Sequence, residues 1–213
     1  AVIVGAGPNG LTAAARLAMA GWSVDIYERA GWAGGAAASS TEIFPGTIVD
    51  LGAAGHPFGV ASPAFHALDL ESHGLRWLNA PYPMAHPLEG APAGILQGSL
   101  ADTAAELGAD ARAWTRLHGH IVRHIDERVA NALTPLVRWP DRPVRLAQFG
   151  AAGIAPASQL GRVAFDTPQA RALFAGSAVH AITSPTRPFT SAFGLLFGGL
   201  GMTLSLIHIS EPT

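Results

Sequence analysis

Residues 1–28 read AVIVGAGPNGLTAAARLAMAGWSVDIYE, and this stretch decides the fold. Ala1-Val2-Ile3-Val4 is a continuous apolar run, the pattern of a parallel strand buried on both faces. Gly5, Gly7 and Gly10 follow in G-x-G-x-x-G spacing. Leu11, Ala14, Ala15, Leu17 and Ala18 then recur at helical spacing, and Gly21 stands where a left-handed cap stops a helix. Ser23 to Tyr27 reads as a second strand ending in Glu28. The order is strand, glycine loop, helix, strand, acid.

Each part has a physical role in holding a dinucleotide. Gly5 permits the tight turn out of the strand, Gly7 lets backbone approach a pyrophosphate, and Gly10 lets helix and sheet pack closely. The helix start offers free N–H groups and a positive dipole end to the phosphates. Gly5, Gly7, Pro8, Asn9 and Gly10 are therefore the candidate phosphate-binding residues. Glu28 can accept hydrogen bonds from both ribose hydroxyls, and an acid there disfavours a 2′-phosphate, so NADP is a poor candidate. The bare glycine spacing is weak evidence in a chain with 25 Gly, and the flanking strand, helix and acid make it specific. A glycine-rich turn that binds nothing is the bland alternative.

Outside this stretch, composition sets bounds. A chain of 213 residues is one large domain or two small ones, long enough for a sizeable core. Hydrophobic residues at 49% and charged residues at 13% exclude intrinsic disorder. A net charge of −2 with no basic run argues against a nucleic-acid surface. With no Cys, disulfides, thiolate metal sites, thiol nucleophiles and a redox dithiol are excluded over this span.

After Glu28 come five residues and then Gly34-Gly35. A simple NAD dehydrogenase would continue into a crossover helix. Here Ser40 to Phe44, Pro45-Gly46 and Thr47 to Asp50 imply a small hairpin, because Pro-Gly suits the centre of a type II turn. Asp50-Leu51-Gly52 follows. Together these segments resemble the phytoene-desaturase-like branch of FAD-dependent oxidoreductases, which shares its FAD fold with amine oxidases. The segment FPGTIVDLGAAGHPFGVASPAF is similar to that family's approach to the flavin ring.

The resemblance implies a Rossmann-like, three-layer α/β FAD-binding domain with a parallel sheet and an inserted α+β substrate domain, truncated here. It implies that Gly5, Gly7 and Gly10 cradle the FAD pyrophosphate and that Glu28 holds the adenosine ribose, with Arg29 beside it. Gly34 and Gly35 would lie along the pyrophosphate and ribityl chain, and Gly52 nearer the isoalloxazine. One departure stands out: many relatives carry Arg directly after the glycine pair, whereas this chain has Ala36. Substrate type is therefore not carried over from them.

The expected organisation is residues 1–60 for the FAD domain, 61–203 for the substrate domain, and 204–213 for a tail. Ser62-Pro63 opens a helix through Phe65, Leu68 and Leu70 to Gly74. Residues 76–98 read as strands of a second sheet. Ser99 and Asp102 cap a helix up to Gly108, and one long helix runs from about Asp110 to Leu133, before Pro135, with Trp114, Leu117, Ile121, Ile125 and Val129 on its apolar face. The span 135–165 is punctuated by Pro and Gly, with a helix near Val144 to Phe149, and Thr167-Pro168 opens another helix to about Ile182.

The last ten residues, LSLIHISEPT, resemble the translation of a transposon-end sequencing adapter, so the chain reads as an amino-terminal fragment and the tail as non-native. Phe189 to Ile207 carries no charge, and Gly194 and Gly198 fit G-x-x-x-G. Discounting the tail, a buried helix lining an apolar channel is favoured over a membrane element. His120 and His124, one turn apart, lack a third metal ligand, so no metal is expected. His56 follows the presumed flavin approach, as a backbone-bonded residue or a group that polarises flavin or substrate.

The expected activity is removal of a hydride from a C–H bond of a small apolar substrate, with FAD as cofactor and an unidentified electron acceptor. No catalytic side chain is named, because flavin chemistry asks the protein mainly for orientation and electronic tuning. Desaturation, amine oxidation and double-bond isomerisation stay open. The rivals are a non-catalytic flavin-binding scaffold or chaperone and an NAD-dependent dehydrogenase. A cytoplasmic location is expected, with peripheral membrane contact as the alternative. The fragment alone is expected to be inactive.

Overall fold

The computed structural model describes residues 1–53, 55–133, 143–203 and 207–210. It divides into two units, Ala1–Leu78 with the residues from His208, and Asn79–Ile207.

In the first unit, β1 (Val2–Val4), α1 (Pro8–Met19) and β2 (Asp25–Tyr27) form the expected βαβ element. The strands are parallel, with Ile3 opposite Ile26. Helix α1 ends as the sequence indicates: Gly21 takes φ +84°. The Trp22 N–H donates to the Leu17 carbonyl at 3.1 Å and the Gly21 N–H to that of Ala18 at 2.9 Å, the paired bonds of a Schellman cap. Strand β1 corrects the expectation of a strand buried on both faces. Ile3 turns toward α1 and is half-buried, but Val2 and Val4, on the opposite face, are 66% and 87% exposed. The reason is the pleat: alternate side chains point to opposite faces, and among the described residues only the α1 side is covered.

A 3-10 turn, Gly35–Ala37, leads into β3 (Ser39–Phe44) and β4 (Thr47–Asp50), which pair as an antiparallel hairpin. Gly46 sits at φ +77°, the left-handed value that the Pro45-Gly46 turn demands. Two short helices follow, α2 (Pro57–Val60) and α3 (Pro63–Ala67). The Ser62 hydroxyl accepts from the Phe65 N–H at 3.4 Å, as an N-cap should. The expected single helix to Gly74 is instead two pieces: Asp69 adopts φ +49° and breaks it, and a 3-10 turn spans Leu70–His73. Strand β5 (Arg76–Asn79) closes the unit.

In the second unit, β6 (Met84–Leu88) and β7 (Ala91–Leu96) form an antiparallel hairpin. Strand β5 is not part of that sheet, which corrects the single sheet expected over 76–98; it pairs with the later strand at Ile207–Ser210. Helix α4 (Leu100–Glu106) starts at Ser99, whose hydroxyl accepts from the Asp102 N–H at 3.1 Å and donates to the Asp102 carboxylate at 2.6 Å. The long helix expected from Asp110 to Leu133 is two helices, α5 (Ala111–Arg123) and α6 (Ile125–Ala132). His124 breaks it at φ −130°, with no glycine or proline to signal the interruption. The apolar stripe survives the break: Trp114, Ile121, Ile125 and Val129 are all buried, and Leu117 is half-buried.

Helix α7 (Pro143–Gly153) covers and extends the helix expected near Val144 to Phe149. Helix α8 (Ala157–Ala164) lies in a span read as irregular. Pro135 and residues 204–206 and 211–213 of the tail lie outside the described residues. Helix α9 (Pro168–Ala178) begins where Thr167-Pro168 predicts, with the Thr167 hydroxyl accepting from the Ala170 N–H at 3.3 Å. Helix α10 (Thr190–Gly201) is the charge-free segment. It is the centre of the core, with Leu195 and Leu200 buried, and no helix among the described residues is long and apolar enough to cross a membrane.

The glycines of α10 explain that burial. A Cβ on Gly194 would come within 2.9 Å of the Phe174 ring, one on Gly198 within 3.0 Å of His118, and one on Gly199 within 2.9 Å of Ile121. The G-x-x-x-G spacing thus serves close packing against α9 and α5. Trp114, fully buried, stacks on His118 at 4.1 Å and meets Phe165 at 5.4 Å. Aromatic clusters of this kind dominate core energetics. Asp110 joins two parts of the unit: its carboxylate accepts from the backbone N–H groups of Asp166 at 2.9 Å and Thr167 at 2.8 Å, and from the Thr167 hydroxyl at 2.5 Å. Burial pushes this carboxyl up, but the Thr167 hydroxyl, the two N–H groups and the nearby Arg171 outweigh it and hold the carboxyl below its usual range.

Candidate functional site

The site in the first unit is built from backbone. Gly5 turns the chain out of β1 at φ +98°, a conformation that a Cβ makes strained, and its N–H donates to the Tyr27 carbonyl at 2.7 Å. Gly7 is the N-cap of α1 and brings no side-chain cap, and Pro8 sits in the first turn, where its missing N–H costs nothing. The first intrahelical donor is the Leu11 N–H, to the Gly7 carbonyl at 2.9 Å. Asn9 and Gly10 therefore point N–H groups off the helix end, which is the positive pole. Gly10 fits its expected role: a Cβ there would lie 2.0 Å from the Gly5 carbonyl oxygen. No side chain fits between α1 and the turn.

The second glycine pair comes directly against this loop. Gly34 and Gly35 take φ +117° and +55°. A Cβ on Gly35 would stand 3.0 Å from the Gly7 Cα, and the Gly34 N–H donates to the Ala6 carbonyl at 2.8 Å. Two glycine segments, 27 positions apart at Gly7 and Gly34, thus meet backbone to backbone. Gly52 packs one layer further out: a Cβ there would be 2.9 Å from the Ala36 carbonyl oxygen, which also accepts from the Ala53 N–H at 2.8 Å. The small side chain at Ala36 is part of that close packing, its Cβ 3.1 Å from where a Cβ on Gly52 would stand.

Glu28 is placed at the loop. One carboxylate oxygen accepts from the Ala30 N–H at 2.8 Å and the other from the Ala6 N–H at 2.7 Å. The Ala30 bond, then the Ala6 bond, with the adjacent Arg29 as a smaller contribution, hold its carboxyl below the usual range. Arg29 and Glu28 are both solvent-exposed. Ala6, the variable position between the first two glycines, is the residue that sequence reasoning missed. It is buried, and its N–H and carbonyl tie the loop to Glu28 and to Gly34 respectively. Its only signal was its place in the motif. His56 precedes α2, where its carbonyl accepts from the Gly59 N–H at 3.0 Å, and its ring is half-buried. Among the described residues no group of three His, Cys, Asp or Glu is placed to hold a metal, and His120 and His124 lie ring to ring at 4.9 Å.

The arrangement provides N–H donors, a helix dipole, room where side chains are missing and an ionised carboxylate. That combination binds an anionic group beside a hydroxyl-bearing one.

Comparison with known proteins agrees with this geometry. Residues 3–69 match the family model described as an NAD(P)-binding Rossmann-like domain. A search of curated proteins finds no match. Among solved structures, a putrescine oxidase with a single substitution, made in a redesign of cofactor binding, superposes with a TM-score of 0.54 at 17% identity, over 98% of this chain and 45% of that one. A triple mutant of putrescine oxidase gives 0.57 at 18% identity with the same coverage. The chain spans less than half the length of these structures. Its fold is mixed α/β, opening with a Rossmann-like dinucleotide-binding domain.

Proposed function

We propose that this chain carries the dinucleotide site of an FAD-dependent oxidoreductase, which removes a hydride from a C–H bond of an apolar substrate. The observation that carries the reading is the contact of Gly35 with Gly7, where a Cβ would stand 3.0 Å from the facing Cα. A single-loop NAD site has no need of a second glycine pair folded onto the first, and the β3–β4 hairpin that follows replaces the crossover helix such an enzyme would use. The similarity of fold to putrescine oxidase supports the same reading.

The residues present fit the cofactor. The cradle is made where side chains would crowd the backbone, at Gly10 and at Gly35, which faces the Gly7 Cα. Gly5 to Gly10 would hold the diphosphate and Glu28 the adenosine ribose, with Gly34 and Gly35 along the chain between the rings and Gly52 further on. When bound, the flavin would supply two-electron oxidation. The protein's part is to orient, to keep Glu28 ionised through the Ala30 and Ala6 N–H groups, and to present an apolar environment to the substrate. Desaturation, amine oxidation and isomerisation are the candidate reaction types, the acceptor is unassigned, and a substrate domain within 61–203, a non-native tail from Leu204 and a cytoplasmic or membrane-peripheral location complete the proposal.

The test is to purify the product of the intact gene and identify what it holds. FAD released on denaturation, with an absorption band at about 450 nm, is the expected result. A colourless protein that retains NAD, or that takes up no FAD on reconstitution, overturns it. Bound FAD that no candidate substrate reduces would favour the scaffold.

A further inference from the structure

The second unit contains a cavity of about 560 Å³ that the dinucleotide site does not use, bounded by α5, α7, α8 and α10. Its size is within the range of about 300–1,000 Å³ found for small-molecule sites. Leu117, Ile121, Leu160 and Leu195 give it an apolar floor. Arg116, His120 and Gln148 are its polar lining, and Arg116 and His120 come from α5. Those two are four residues apart and so share one face of that helix.

The charges on this lining have one sign. Among the described residues the lining contains a guanidinium, Arg116, and no carboxylate. Arg116 is exposed and makes no hydrogen bond or ion pair among the described residues. A second guanidinium stands behind the wall: Arg128 is buried, lies 5.2 Å over the Phe149 ring and donates to His120 Nε2 at 3.0 Å. Arginine cannot accept, so His120 Nε2 is the acceptor in that bond. A cationic ligand would meet Arg116 with no carboxylate among the described lining residues to offset the repulsion. A neutral hydrocarbon would fill the floor and leave the polar lining unused.

We propose that this cavity binds an amphipathic carboxylate, an apolar chain with one anionic head, the head on Arg116 and the chain over Leu117, Ile121, Leu160 and Leu195. Planar, bidentate pairing of carboxylate with guanidinium is the strong form of such a contact. Each methylene buried should tighten binding about fourfold.

The site needs no flavin, so the test uses the whole chain without cofactor, and its failure would leave the dinucleotide reading standing. Decanoate and decanol are titrated calorimetrically into the wild type, Arg116→Gln and Ala152→Trp, the last placing a large ring in the cavity. Decanoate should bind the wild type, weaken about fivefold in Arg116→Gln, and weaken more than tenfold in Ala152→Trp. Decanol should be indifferent to Arg116→Gln. Should Ala152→Trp lose its helical circular dichroism, the comparison of decanoate with decanol on Arg116→Gln decides alone. No decanoate binding to the wild type, or equal affinity in wild type and Arg116→Gln, overturns the proposal.

Discussion

The two units use glycine for opposite ends. In the first, Gly7, Gly10 and Gly35 hold backbone close to backbone, and the surface they make stays partly open to solvent. In the second, Gly194, Gly198 and Gly199 let α10 sink into a wall of rings and branched side chains, and the surface they make is buried. The lesson concerns neighbours. A missing Cβ facing another main chain leaves polar N–H groups available for recognition. A missing Cβ facing an aromatic ring lets apolar surface leave water. The buried Leu195 and Leu200 belong to the second regime.

The comparison is broken most severely by removing the ring at the centre of the second unit. Trp114→Ala should destabilise that unit by about 4 kcal/mol, the cost of a large aromatic cavity. Hydrogen exchange should show protection lost across α5, α9 and α10 while α1 is unchanged. Loss confined to the α5 surface would contradict the assignment of Trp114 to the core.

Next comes acid. His118 is fully buried, burial holds its imidazole down at about 4, and its Nε2 has no hydrogen-bond partner among the described residues. The unfolded chain takes up this proton near pH 6.5 but the folded chain only near 4, so stability is full above pH 6.5 and declines as pH falls toward 4. The difference amounts to about 3 kcal/mol. Chemical denaturation across that window should show the decline. In His118→Phe it should be much smaller, and an unchanged decline would place the titrating group elsewhere.

A smaller effect is expected at the glycine loop. Gly10→Ala puts a Cβ against the Gly5 carbonyl oxygen and should cost about 2 kcal/mol locally, read as faster proteolysis near the loop with the helical unit unchanged. The smallest structural effect belongs to Glu28→Gln. Its carboxylate is solvent-exposed and its loss should leave thermal stability nearly unchanged, yet protease cleavage of the loop should rise as the Ala6 N–H loses a charged acceptor. For the wild type the same loosening should follow acidification through the lowered pKa of Glu28. A loop equally resistant in both proteins would remove the clamp.

Reading by local chemistry succeeded where local chemistry decides. The Gly21 cap, the Pro45-Gly46 turn and the Ser62, Ser99 and Thr167 caps each satisfy backbone groups within a few residues, so neighbours in sequence suffice to place them. It failed at His124 and Asp69, where neither glycine nor proline marks the break and the change of backbone angle is confined to a single residue. It also missed α8, whose Ala157 N–H is satisfied by the Thr190 hydroxyl 33 positions away.

The sequence by itself determined the βαβ opening, the glycine loop and the acid at its end, because strand, turn and helix propensities there all act over a few bonds. Only the tertiary structure decided that Gly35 would lie on Gly7, that Ala6 would join Glu28 to Gly34, and that the cavity beside the charge-free helix, itself expected to be buried, would have Arg116 in its lining. Those outcomes depend on which surfaces exclude water together, and residues far apart in the chain share that choice.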